Sequence, residues 1–149
     1  MATIVRSFIT DSNVPLIVWV PIDVSQTIAV GDLIQVDGTS RKGELAVPAS
    51  TTLVGIAQAP ITTGVSVTAA DQIPVALIRG FVVRLDVYQG GSKKTFADTD
   101  KYTTLYDLET ATSVDPDDTT GGMCCVQAYD NTAHTVDVVF TAASLVNIG

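Results

Sequence analysis

Apolar and polar residues alternate along several stretches of this chain. The clearest stretch is residues 81–88, where Arg84 and Asp86 interleave with Leu85 and Val87. A period of two is typical of a strand with one buried face and one solvated face. We predict a strand there, and further strands at residues 32–36, 53–61, 73–77, 124–129 and 135–141.

Turn signals separate these predicted strands. Asp37-Gly38 is a strong turn dipeptide, and residues 90–94 (GGSKK) and 130–133 (DNTA) are predicted loops. Such signals recur every 8 to 12 residues or so, which is the spacing typical of a β-sandwich or barrel. Gly55, Ala57 and Ala59 alternate on one face of their strand, which predicts a close approach by another backbone there.

One segment has a mixed pattern. In residues 103–112, Leu105 and Leu108 are three apart, as on a helix face. Clusters of Thr in the same segment disfavour a helix interior. A helix and a bent strand are therefore both open for this segment.

Composition agrees with the strands. Thr and Val are abundant, and the acidic residues are nearly all Asp, which fits a sheet better than a helix. We predict an all-β fold, a compact antiparallel barrel or sandwich.

A weak internal repeat accompanies the pattern. Residues 55–59 (GIAQA) align with residues 124–128 (CCVQA), and at the same offset residues 32–36 align with residues 101–105. Two interpretations are open: a duplicated β unit, or chance similarity between period-two sequences.

The first 26 residues lie outside that repeat. Residues 14–22 (VPLIVWVPI) contain the only Trp, with Pro15 and Pro21 inside an apolar run. Proline confines a strand to an edge or an extended arm. We interpret residues 1–26 as an extended N-terminal arm or a first strand, and residues 27–149 as a single β domain. An arm could dock on another subunit by adding a strand to its sheet.

Charge narrows the classes of function. Only 16% of residues are charged, against 46% hydrophobic, and the net charge is −8, whereas about a quarter is charged in an ordinary soluble domain. Either Thr, Ser and Gln solvate the surface, or partner chains cover part of it. The acidic balance disfavours nucleic acid. No run reaches the roughly 20 apolar residues of a membrane span, and no signal peptide or disulfide framework is apparent, so we expect synthesis in the host cytoplasm and no membrane partner.

Candidate chemistry is sparse. The single His, His134, falls in a predicted turn, where it is poorly placed for a nucleophile–base pair. Cys124 and Cys125 point to opposite faces if they lie in a strand, and with one His they do not form a usual zinc site. The Asp-rich residues 113–122 lack the spacing of a calcium loop. We therefore predict no catalytic, cofactor-binding or metal-binding residues, and no enzymatic activity.

Three segments carry a family resemblance. They are residues 31–33 (GDL), residues 54–57 (VGIA) and residues 75–80, a strand that leads to a Gly. This succession resembles the decoration, or head-stabilisation, proteins of tailed phages, with the lambda-type β fold or a tulip-like relative of it. The later segments 105–107, 122–128 and 136–141 are similar in style.

The resemblance implies a partner and not a reaction. Such proteins assemble, typically as homotrimers, on the outside of the capsid, bind the major capsid protein and stabilise the expanded shell. For this chain we expect a structural protein on the virion exterior, without nucleic-acid partners. The expected capsid or subunit interface is Val14, Pro15, Leu16, Ile17, Val18 and Trp19. The alternative is a phage tail or receptor-binding β module that recognises a surface glycan or protein.

Overall fold

The chain folds almost entirely into strands. A computed structural model describes residues 1–7 and 13–146, and in these residues the only helices are two 3₁₀ turns, Asp98–Asp100 and Ala142–Ser144. The all-β prediction is therefore confirmed. In chain order, strands β1 to β14 are Thr3–Ser7, Ile17–Pro21, Thr27–Ile28, Leu33–Val36, Gly43–Leu45, Leu53–Ala57, Ile61–Thr62, Gln72–Leu77, Phe81–Val87, Leu105–Tyr106, Leu108–Thr110, Ser113–Val114, Cys124–Asp130 and Thr135–Phe140.

The larger sheet is built around β9. Its strand order is β10-β13-β14-β9-β12-β11, a nearly closed, barrel-like path. One edge of β9 pairs with β14. Two strands share the other edge: β1 lies opposite residues 81–84, and β12 lies opposite Asp86 and Val87. Both edges of β9 are thus occupied.

The second sheet has five antiparallel strands in the order β2-β8-β6-β4-β5. A parallel bridge from Ile22 to Gly43 joins the end of β2 to β5. A short third sheet pairs β3 with β7. These elements make a barrel-like architecture that is mostly antiparallel, as the sequence predicts, although β12 pairs with β9 in parallel.

Two apolar clusters form the core, and β4 and β6 divide their side chains between them. Leu33 and Ile56 belong to the larger cluster, which includes Leu85 and Val138. Ile34, Val54 and Ala57 belong to the smaller cluster. The pairing of β4 with β6 shifts register between Ile34 and Gln35, a bulge that lets Leu53 and Ile56, three residues apart, face the same cluster.

β8 approaches the backbone of β6 closely at Gly55. A Cβ added at Gly55 would collide with the carbonyl oxygen of Ala76. The predicted close backbone approach is therefore confirmed at this residue.

The predicted strands are found with small changes in their bounds. The stretch 53–61 is interrupted after Ala57 and resumes as β7, and β13 and β14 form the predicted hairpin. Residues 103–112 contain β10 and β11 and no helix, so the bent strand is the correct alternative.

The extended N-terminal arm is not found. Residues 3–7 pair with β9 and residues 17–21 pair with β8, while Ala2, Val20 and Ile22 are buried in the core. Burial of these side chains makes the described part of residues 1–26 integral to the two sheets; residues 8–12 lie outside the described residues.

The order of neighbouring strands matches the weak internal repeat, but the register in which the strands pair does not. β6 lies between β4 and β8, just as β13 lies between β10 and β14. Leu33 lies opposite Ile56, so a duplicated unit would place Tyr102 opposite Cys125. Leu105 occupies that place instead. Duplication therefore stays a hypothesis.

Candidate interaction surface

The predicted interface residues form one continuous segment of the chain, in which four of the six side chains are exposed. We call residues 14–19 the apolar strip. Val14, Leu16, Ile17 and Trp19 are 79%, 67%, 45% and 63% exposed, while Pro15 and Val18 are half-buried. Isolated exposed apolar residues are ordinary, but a contiguous apolar patch marks an interaction site.

Alternation along β2 explains why large apolar side chains remain in solvent. Val18 and Val20 pack toward the smaller core cluster, so Ile17 and Trp19 point to the opposite face. No charged residue occurs between Asn13 and Ile22. Both faces of β2 are therefore apolar, although the described residues cover only one of them.

Strand pairing leaves β2 at the edge of its sheet. It pairs with β8 over its whole length, with Ile17 opposite Ala76 and Trp19 opposite Pro74. Among the described residues, its other edge meets β5 only through the bridge from Ile22 to Gly43. Most of that edge carries backbone groups available to another chain.

Two apolar grooves flank the apolar strip. One, of about 270 Å³, is lined by Pro15, Ala76 and Ile56 together with residues of β1. The other, of about 220 Å³, is lined by Leu16, Leu77 and Val146, among others. No local sequence signal marks either groove, because each joins strands that are distant along the chain.

In contrast to the apolar strip, β9 carries a polar side chain that forms an ion pair with a neighbouring strand. Arg84 Nε and Nη2 donate to the two carboxylate oxygens of Asp137, at 2.7 and 2.9 Å. These hydrogen bonds to Asp137, together with the negative charge of its carboxylate, raise the pKa of the Arg84 guanidinium. This pair ties β9 to β14, where the two residues lie directly opposite. No local sequence signal predicts it, because the two strands are distant along the chain.

A second polar cluster joins the long loop before β10 to the core. Lys93 Nζ donates to both oxygens of Asp100, each at 2.9 Å, and Tyr106 Oη donates to Asp100 at 2.7 Å. Burial raises the pKa of Asp100, but the hydrogen bonds from Tyr106, Lys93 and the Ala97 amide outweigh it and lower that pKa. Burial and the bond to Asp100 raise the pKa of Tyr106. This cluster is internally satisfied and stabilises the loop.

His134 and the cysteines occupy structural positions. His134 is exposed in the hairpin turn with a φ of 55°, and its carbonyl accepts the Val87 amide at 2.8 Å. Cys124 is buried and Cys125 is half-buried, which confirms that they face opposite sides. Burial raises the pKa of the Cys124 thiol, so that thiol is held in its unreactive protonated form.

Carboxylates of the Asp-rich loop accept hydrogen bonds from backbone amides of the same loop. Asp115 accepts the Asp117 amide at 2.9 Å, and Asp118 accepts the Thr120 amide at 2.8 Å. Asp117 accepts the Lys93 amide at 2.8 Å. In residues 1–7 and 13–146, no group of three or more His, Cys, Asp or Glu is placed to hold a metal ion.

No model of a protein family matches the chain, and no curated protein matches its sequence. None of the helices in the described residues is long and apolar enough to cross a membrane.

Proposed function

We propose that this protein is a structural subunit of a tailed-phage virion, which binds the outer surface of the capsid through the major capsid protein and stabilises the expanded shell. The class of protein rests on the resemblance of residues 31–33, 54–57 and 75–80 to decoration proteins. The proposal does not include an enzymatic activity. It includes self-association, since decoration proteins act as small oligomers.

The observation that carries this proposal is the apolar strip. Its four large side chains are exposed in a stretch without any charge. Burying apolar area against a partner is favourable by about 25 cal/mol per Å² before the costs of association. A capsid lattice repeats its sites, so many weak contacts add up to stable attachment.

The charge distribution supports an exterior position. The net charge of −8 is unsuited to binding packaged DNA, because phosphates require clustered Lys and Arg. The carboxylates of Asp115 and Asp118 lie in a loop on the larger sheet and bond only within it. We therefore place the acidic loop toward solvent and the apolar strip toward other subunits or the shell.

Cosedimentation with expanded empty capsids from the same source tests the proposal. Wild-type protein is expected in the pellet, and the double variant Leu16→Asp/Trp19→Asp is expected to lose at least about tenfold in bound fraction. Val65→Asp is the matched control, because Val65 is 91% exposed and lies outside the apolar strip. Point variants are needed because a deletion of residues 1–20 removes β1 and most of β2.

Two outcomes count against the proposal. Wild-type protein that stays in the supernatant at all concentrations would refute shell binding. Binding to defined glycans on an array, abolished by Trp19→Ala, would instead favour the tail or receptor-binding alternative, because an exposed indole can stack on a sugar ring. The absence of polar side chains between Val14 and Trp19 disfavours that alternative, since sugar hydroxyls need hydrogen-bond partners.

A further inference from the structure

One of the two apolar grooves contains a single charged side chain. The groove of about 220 Å³ is lined by Arg79 and by six aliphatic residues, among them Leu16, Leu77 and Leu145. Four separate segments of the chain meet there: the residue before β2, the start of β6, the end of β8 and the last 3₁₀ turn. The groove therefore combines apolar walls with one cation.

The chain itself uses backbone groups of the groove walls. The Leu77 amide donates to the Leu16 carbonyl at 2.9 Å, and the Val146 amide donates to the Leu53 carbonyl at 2.8 Å. β6 is paired on both edges, by β4 and by β8. Among the side chains that line the groove, hydrogen bonding is therefore left to Arg79.

Arg79 is held at the groove by one hydrogen bond. Its Nη2 donates to the Val146 carbonyl at 3.1 Å, and its side chain is exposed. Arg79 takes part in none of the ion pairs that join described residues. A guanidinium has five N–H donors, so most of those on Arg79 remain available to a ligand.

We propose that this groove binds an aliphatic carboxylate, an anion of the fatty-acid type. Its alkyl chain lies against the aliphatic walls, where burial of apolar surface is favourable. Its carboxylate accepts hydrogen bonds from Arg79, because the planar guanidinium fork matches the two oxygens of a carboxylate.

The hydrogen-bonding groups of the groove favour an acyl chain over a polypeptide segment. Each residue of a polypeptide brings an N–H and a C=O, and burying them without partners is costly. An acyl chain has no polar group except its carboxylate, for which Arg79 is the partner. The volume is also below the roughly 300–1,000 Å³ of pockets for drug-sized ligands, which suits one short chain.

The charge of the protein makes Arg79 decisive for an anionic ligand. A net charge of −8 repels anions in general. The lining residues of the groove include no acidic side chain, so the local charge is positive. Binding of a carboxylate is therefore expected to depend on Arg79, and ligands of equal chain length are expected to be distinguished by their polar group.

Titration of the isolated protein with octanoate, octanol and octylammonium, followed by amide NMR, tests the site. Octanoate is expected to shift the amide signals of Leu77 and Val146 with a dissociation constant of about 1 mM. Octanol has the same chain without the charge and is expected to bind at least about tenfold more weakly. Octylammonium is expected to bind most weakly, because its charge has the same sign as that of Arg79.

Matched variants separate the cation from the walls. Arg79→Gln is expected to raise the dissociation constant of octanoate at least about tenfold and to leave that of octanol nearly unchanged. Arg41→Gln is the matched control, because Arg41 is exposed in the turn between β4 and β5, outside the groove. Leu16→Asp is expected to abolish octanoate binding by placing a carboxylate in the groove, and Leu16 is exposed, so the fold is expected to tolerate the change.

Several results would overturn the site. They are octanoate that does not bind at about 20 mM, octanol that binds as tightly as octanoate, or binding that is unchanged in Arg79→Gln. A blocked Leu-Asp dipeptide that binds more tightly than octanoate would show that the groove takes a protein segment and not an acyl chain.

This site is independent of the proposed shell binding. The titrations use the isolated protein, so their outcome does not require capsids. Octanoate binding by a protein that never pellets with capsids would refute only the proposed function. Pelleting by a protein that does not bind octanoate would refute only the aliphatic carboxylate site.

Discussion

β9 and β2 show two ways in which a strand of this protein meets solvent. In both strands, successive side chains point to opposite faces, and one of those faces is buried. The outward positions of β9 carry Arg84 and Asp86, and Arg84 is bound by Asp137 of the neighbouring strand. The outward positions of β2 carry Ile17 and Trp19, whose side chains are exposed and apolar in large part.

The two strands also differ in their edges. β9 is paired on both sides, by β14 and by β1 and β12, whereas within residues 1–7 and 13–146 most of one edge of β2 has no partner strand. An outward side chain on β9 therefore contributes to the stability of the sheet. We expect the outward side chains of β2 to contribute to association instead. The following predictions test this difference between the two strands.

The largest expected effect is on the buried face of β9. Leu85 is fully buried in the larger cluster, and Leu85→Ala is expected to lower the free energy of unfolding by about 3 kcal/mol through lost burial and a cavity. Urea unfolding followed by circular dichroism measures it. A loss under about 1 kcal/mol would mean that the larger sheet is less tightly packed than its burial indicates.

A smaller effect is expected at the half-buried carboxylate of Asp100, beside the larger sheet. Asp100→Asn removes a charge that Lys93 and Tyr106 both bind and is expected to cost about 1–2 kcal/mol at neutral pH. The folded state has a pKa for Asp100 below the ordinary value of 3.8. Its contribution is therefore fully present above about pH 4 and is lost as the pH falls through the folded pKa.

Urea unfolding at pH 7 and at about pH 2.5 measures that dependence. The difference between wild type and Asp100→Asn is expected to shrink in acid. An equal difference at both pH values would show that the variant acts through packing and not through charge.

The ion pair on the outward face of β9 is expected to matter less. Asp137→Asn breaks the two-pronged contact with Arg84, but the Arg84 side chain is half-exposed and water can replace its partner. We expect a loss of about 1 kcal/mol or less, reduced further by high salt. A loss that is insensitive to salt would contradict an electrostatic origin.

The smallest effect on monomer stability is expected in the apolar strip. Trp19→Ala, measured at a concentration where the protein is monomeric, is expected to change the free energy of unfolding by less than about 0.5 kcal/mol. The same substitution is expected to weaken association. A large loss of stability in the monomer would show that Trp19 supports the fold, and the contrast between β9 and β2 would fail.

Much of this architecture follows from local sequence. The alternation at residues 81–87 and 135–140 determines which side chains are buried, because a strand turns successive residues to opposite faces. The small residue Gly55 marks a close contact between strands for a similarly local reason. The uncharged run at residues 13–22 likewise identifies the interface candidate without any knowledge of the fold.

Only the tertiary structure decided where that run lies. Whether residues 1–26 extend as an arm or pair within the molecule depends on partners such as β8 and β9, which begin about fifty residues or more further along the chain. The bulge in β6, the bridge from Ile22 to Gly43 and the free edge of β2 likewise depend on which strands meet. Local preferences set the face that each strand buries, but the choice of neighbours is a property of the whole packed chain.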